Sequence, residues 1–162
     1  MDASLLELLA PRADALAGEL ARLLLAQDMP HYKETPRAEL DARCARLVSA
    51  FLDAVRQGGA EPFVRHVRAI VEERLAEGFA LREVQEALSS LEQRVWPIVV
   101  EGGGDTATVV RRLAVVTGIV GHAKDALARA FIEQLERSDA RAAQLQRRLD
   151  ALFAGTEPPP RS

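Results

Sequence analysis

The 162 residues, 48% hydrophobic and 28% charged, suffice for one domain with a real core and leave a second one cramped. The 21 basic and 24 acidic residues are interspersed, so no basic field exists to hold a phosphate backbone, and nucleic acid is not an expected partner. Cys44 alone excludes an intrachain disulfide and a cysteine-rich zinc site, and aromatics at 4% against abundant Leu, Ala and Val favour helix packing over a sandwich.

From Ser4 to about Gln27, Leu5, Leu8, Leu9, Leu16, Leu20, Leu23 and Leu24 follow helical spacing. Pro11 and Gly18 are weak points, so the segment is one kinked helix or two short ones. Asp28 to Thr35, with Met29-Pro30-His31-Tyr32, is expected to be a loop, after which Thr35-Pro36 offers a capping residue and a proline at the first helical position. Leu40, Cys44, Leu47, Val48, Phe51, Leu52 and Val55 then form one apolar stripe, which Gly58-Gly59 ends. Pro62 begins the next helix, carried by Phe63, Val64, Val67, Ile70, Val71 and Leu75. Gly78 followed by Phe79 has the form of a left-handed ending with a hydrophobic residue folded back on the last turn. Leu81, Val84, Leu88, Leu91, Val95 and Ile98 alternate steps of three and four, a seam for another helix, and Pro97 is expected to kink that helix beside Trp96.

Gly102-Gly103-Gly104 is a linker, and Asp105 caps a pattern that runs without proline to about Phe153. Such a helix measures roughly 70 Å at ~1.5 Å per residue, against a radius of gyration near ~13 Å for a domain of ~110 residues. The far end therefore projects or finds a partner. Val109, Val110, Leu113, Val115, Val116, Ile119 and Val120 are apolar on more than one face, as in a helix surrounded by neighbours. Beyond Phe131 the stripe narrows to Leu135, Ala142, Leu145, Leu149 and Leu152, a short coiled-coil-like seam suited to a dimer or stalk interface. The chain thus divides into a helical head over 1–135, a stalk over 136–154 continuous with the last helix, and a disordered tail over 155–162. The start, Met1-Asp2-Ala3-Ser4, lacks the positive region of a signal peptide. The longest apolar run is far below the ~20 residues of a membrane span, so a cytoplasmic chain without a membrane partner is expected.

No catalytic or cofactor motif survives inspection. His31, His66 and His122 are scattered and lack metal-ligand spacing, so neither a metal nor a resident cofactor is expected. There is no nucleophile elbow, P-loop or dinucleotide fingerprint, which makes an enzyme the weaker class. Glu72-Glu73 and the Glu83/Glu86 pair read as solvent-facing charges. Tyr32 and Trp96 stand beside chain breaks, where a polar-tipped aromatic lines a cavity or closes a bundle. Gly118 and Gly121 permit a helix or a ligand to approach the backbone. His66 reads as an edge or core histidine, or, like His122, as a proximal haem ligand. Cys44 reads as a small core residue.

The segment Gly78-Phe79-Ala80-Leu81-Arg82-Glu83-Val84-Gln85-Glu86-Ala87-Leu88, continuing to Val95-Trp96-Pro97, resembles the N-terminal domain of RsbRD-type proteins, the RsbT co-antagonists of bacterial stress signalling. His31-Tyr32 ahead of the second helix fits it as well, and the resemblance covers about Leu5 to Leu135. It implies an all-α, globin-like bundle of about five to six helices, akin to non-haem globin sensors that dimerise and pass a signal down a C-terminal helix. It transfers no ligand residue. The expected function is a non-enzymatic, homodimeric sensory or regulatory module acting on a separate output protein. An adaptor without a small-molecule ligand and a haem-binding sensor are the alternatives.

Overall fold

The computed structural model describes residues 3–76 and 78–154, with the side chains of 5–74 and 78–151. Its elements are α1 (Ala3–Leu9), α2 (Ala13–Ala26), α3 (Pro30–Glu34), α4 (Arg37–Gln57), α5 (Glu61–Ala76), α6 (Leu81–Glu101) and α7 (Thr106–Ala154). The chain is all-α, and the five long helices, α2 and α4 to α7, build the body.

Pro11 explains the first break. It lacks an N–H for the helical ladder and sits in a 3-10 turn, Ala10–Arg12, that separates α1 from α2. Gly18 does not interrupt α2. Residues 30–34 depart from the expected loop: Pro30 starts a short helix whose inner face buries Tyr32. Thr35 departs as well, because its hydroxyl donates back to the His31 carbonyl at 2.7 Å and closes α3 rather than capping α4.

In α4 the whole stripe from Leu40 to Val55 is buried, and Gly58 ends the helix in the left-handed conformation at φ 69°. The end of α5 is the anticipated Schellman turn, with Gly78 at φ 86° and the Phe79 N–H donating to the Arg74 carbonyl at 2.9 Å. Helix α6 continues through Pro97 to Glu101. Asp105 caps α7 as its position suggests, its carboxylate accepting from the Thr108 N–H at 2.7 Å. Arg112 donates to the Gly103 carbonyl at 2.9 Å and ties the linker to the first turns of α7.

Helix α2 packs on α4, α4 on α5, α5 on α7, α7 on α6, and α6 returns to α2, which closes a ring of five helices. Leu20, Val48, Phe51, Phe63, Leu91 and Val120 fill the ring, with Phe51 and Phe63 edge to face at 5.6 Å. Helix α1 closes one end against α4 and α6.

Helix α7 is not surrounded as its composition suggests. Val116, Ile119, Val120, Ala123 and Leu127 face the ring, but Val110 is 58% exposed on the opposite side. From Leu135 to Ala151 every described side chain is exposed, so the last third of this 49-residue helix leaves the body. No helix among the described residues is long and apolar enough to cross a membrane.

Candidate functional site

The most organised polar cluster lies where α3, the α5–α6 turn and the start of α6 meet. Glu83 occupies the third position of α6 and is 4% exposed. Its Oε2 accepts from the Ala80 N–H at 3.0 Å, the reach-back of a capping box. The Ala80 methyl cannot accept a hydrogen bond in return, so only half of the box forms. The carboxylate also takes the His31 N–H at 3.3 Å on Oε1 and lies 2.8 Å from His31 Nδ1 on Oε2. An ionised carboxylate only accepts, so the imidazole donates Nδ1–H. The helix N-terminus further favours the negative charge.

Tyr32 reaches the same residue by another route, donating its hydroxyl to the Glu83 backbone carbonyl at 2.8 Å. Phe79 is the hub between these groups. His31 stacks on its ring at 4.6 Å, Tyr32 meets it edge-on at 5.5 Å, and the Arg74 and Arg43 guanidiniums lie 5.3 and 5.9 Å from its centroid. The positive φ of Gly78 turns the chain so that Phe79 folds back on the last turn of α5.

Beside this hub, between α2, α4, α5 and α6, lies a small, partly open apolar cavity. Tyr32 and Cys44 contribute to its wall together with leucines and valines, and Arg43 and Arg74 are its charged lining. The Arg43 side chain is 11% exposed and pairs with Glu39; that of Arg74 is 6% exposed, 3.7 Å from Glu73. Burial is the main force pushing the Cys44 thiol up to about 11, aided by Asp41 and opposed by Arg37. Burial likewise drives the Tyr32 phenol well above its ordinary range, with Cys44 and Glu83 adding to it. A second depression shares Arg43, Ile70 and Arg74 with the cavity and adds Arg46, His66 and Glu73. His66 Nε2 is buried there without a hydrogen-bond partner, and burial, then the Arg46 charge, lower its basicity against the pull of Glu73.

Of the residues singled out from sequence, Tyr32 lines the cavity and His66 lines the adjoining depression. Trp96, Gly118 and Gly121 do not line the cavity. Trp96 is 45% exposed, because its position points out of the α6 seam that carries Val95 and Val99 inward. A Cβ added at Gly118 or Gly121 meets nothing within 4 Å, so within this chain neither glycine serves a close approach. His122 is exposed and bonds the Gly118 carbonyl at 2.7 Å, so neither it nor His66 stands on the apolar cavity as a proximal haem ligand would. Leu135, Ala142, Leu145 and Leu149 are exposed along the stalk, and the Leu152 side chain and the expected tail lie outside the described residues.

Glu83 corrects the reading of a solvent-facing charge. Its signal was available: a glutamate three residues into a helix that follows a Gly-Phe turn is placed to reach back to the N-cap. Arg43 and Arg74 were also legible as anomalies. Each falls in step with an apolar stripe, Arg43 between Leu40 and Leu47 and Arg74 after Val67 and Val71, where a charge needs a reason. Among the described residues no group of three metal-ligating side chains converges. The cavity itself is an apolar wall edged by Arg43 and Arg74.

The model of one protein family, described as the RsbT co-antagonist protein rsbRD N-terminal domain, matches residues 14–152. No curated protein and no solved structure matches the chain. The matched span takes in the five-helix ring, the Glu83 cluster, the cavity and nearly all of the stalk, and the chain belongs to the RsbRD N-terminal domain family of RsbT co-antagonist proteins.

Proposed function

We propose that this chain is a cytoplasmic, non-enzymatic sensory module of bacterial stress signalling. In this reading the head, residues 1–135, receives the stimulus, and the stalk, 136–154, carries it as part of a homodimer to a separate output or regulatory protein. The observation that carries the reading is the double life of α7. Val116, Val120 and Leu127 are part of the core, while the same helix from Leu135 to Ala151 stands in solvent. A change in head packing is thereby coupled to the stalk through one continuous rod.

What is left uncovered supports the dimer. Among the described residues the exposed large hydrophobics are Trp96, Val100, Val110, Ile132, Leu135, Leu145 and Leu149, all of them on α6 and α7. A second copy laid along these two helices covers them, and Gly118 and Gly121, open on that side of α7, let the backbones come close. Relay requires a ligand or partner with different affinities for two packings of α7.

Sedimentation equilibrium of the full chain tests this. The wild type is expected at twice the monomer mass, and Leu145→Glu with Leu149→Glu shifts it toward monomer at unchanged helicity. An unchanged mass in the double variant removes the stalk seam from the interface.

A further inference from the structure

We propose that α1 is a reversible strap: a segment that is helical only while seated on the end of the helix ring, and whose seat is joined through the α6–α7 linker to the first turns of α7. The inference deepens the sensory reading above by naming an input to α7, and rests on it for any effect on output.

Three observations carry it. First, α1 has two states and little between them. It is seven residues long, Ala-Ser-Leu-Leu-Glu-Leu-Leu, well short of the ~12–15 residues at which a helix becomes marginally stable alone. Its helix therefore depends on the seat, where Leu5 and Leu9 are fully buried and Leu6 packs against the core. Second, α1 can leave without unwinding its neighbour. The 3-10 turn Ala10–Arg12, with Pro11 and no buried residue, interrupts the ladder between α1 and α2. A segment set off by such a break opens as its own unit, below the cost of global unfolding.

Third, the seat includes the linker. Gly102 has φ −64° and ψ −7°, a conformation open to any residue, so its backbone angles do not require glycine. The space does: the methyl groups of Leu8 occupy the place that a Cβ on Gly102 would take. The next residue continues the path, because the Gly103 carbonyl accepts from Arg112 Nη1, on the second turn of α7, at 2.9 Å. Close to it Val110 is 58% exposed, so the start of α7 is held from one side and is free to respond. Unseating α1 takes Leu8 off Gly102, and the Gly102-Gly103 step relaxes together with Arg112. The input thus enters α7 at the end opposite the stalk. Anything that captures Leu5–Leu9 in the unseated form shifts the balance, because it binds only one of the two states.

Hydrogen exchange of the full chain, read by mass spectrometry, decides the matter. In the wild type, residues 3–9 should exchange at least about a hundredfold faster than residues 44–55 of α4, through an opening that leaves the ring closed. Leu8→Ala should speed exchange several-fold both in 3–9 and in 102–112, while 44–55 stays unchanged. Gly102→Ala should do the same from the other side, since its methyl displaces Leu8. The double variant gives that methyl the room Leu8 vacates, so its effect should be smaller than the product of the two single effects. Leu8 is only half-buried, so neither single change empties the core. Residues 3–9 exchanging in step with 44–55, unchanged exchange of 102–112 in Leu8→Ala, or single effects that multiply in the double variant overturns the proposal. Loss of the fold in Leu8→Ala overturns it too, because a strap that opens by itself cannot carry the stability of the ring.

The two readings fail separately. If 102–112 does not respond to Leu8→Ala while the wild type sediments as a dimer, the strap falls and the sensory reading stands. If the response is present but the wild type sediments as a monomer, the homodimeric relay falls and the strap stands.

Discussion

Tyr32 and Glu83 meet through the backbone of one and the side chain of the other: the phenol donates to the Glu83 carbonyl at 2.8 Å, while the Glu83 carboxylate turns to His31 and Ala80. The short α3 is thus held to the first turn of α6 by two independent anchors. This explains why five residues with no helix of length around them stay in place.

Removing the phenol hydroxyl with Tyr32→Phe keeps the ring against Phe79 and deletes one buried bond. A bond of this kind contributes about 1 kcal/mol net. For a chain of this size that corresponds to a fall of roughly 2–4 °C in Tm. Thermal unfolding followed by circular dichroism measures it, and an unchanged midpoint means that the bond contributes nothing in solution.

The two glycines Gly78 and Gly18 should respond to alanine with opposite signs. Gly78 sits at φ 86°, where a Cβ is disfavoured by about 1–2 kcal/mol. The nearest atom to that Cβ is His31 Nε2 at 3.6 Å, an ordinary contact, so the penalty is in the backbone. Gly18 lies inside α2 with open space around it, and alanine there should stabilise by about 0.5–1 kcal/mol. Urea unfolding of Gly78→Ala and Gly18→Ala resolves both. A stabilised Gly78→Ala variant is incompatible with the Schellman turn that positions Phe79.

The ring of helices was legible because each long helix carries its period in its own residues. The α4 stripe from Leu40 to Val55, the Gly78 turn and the Asp105 cap are local patterns with local causes. The site was legible only in fragments. Tyr32 drew notice as a polar-tipped aromatic, but its partner stands 51 positions away, and no spacing rule brings His31 to Glu83. The short α3 was missed for the same reason: five residues cannot sustain a helix alone, and tertiary anchors decide the outcome. On α7, composition suggested neighbours on every side, and the uncovered face of Val110 shows that an apolar residue in a helical period need not be covered within the chain.

Cys44 makes alkaline stability testable. Its thiol is pushed up to about 11 from an ordinary 9.0. Below pH 9 the folded and unfolded chains both keep the proton, and the group has no effect. Between the two values the unfolded chain releases a proton that the folded chain retains, so stability falls as pH rises through that window. The Tyr32 phenol, shifted upward from 10.0, adds to the loss in the upper part of the range. Urea midpoints measured from pH 8 to 11 should decline for the wild type and decline less steeply for Cys44→Ala. Parallel curves would show that the thiol titrates normally in the folded protein.

His66 offers the opposite sign and a check on the charge around the cavity mouth. Its basicity lies below the ordinary 6.5, with burial as the larger cause and Arg46 the second, and Glu73 opposing them. As pH falls through 6.5 the unfolded chain takes up a proton that the folded chain resists, so this group removes stability on the acid side. Replacing Arg46 with Gln should raise the midpoint of the His66 ring resonance in an NMR titration without restoring 6.5, because burial remains. Glu73→Gln should lower it further. Full restoration in Arg46→Gln would mean that charge, not desolvation, governs the site, and no shift would mean that solvent screens Arg46 completely.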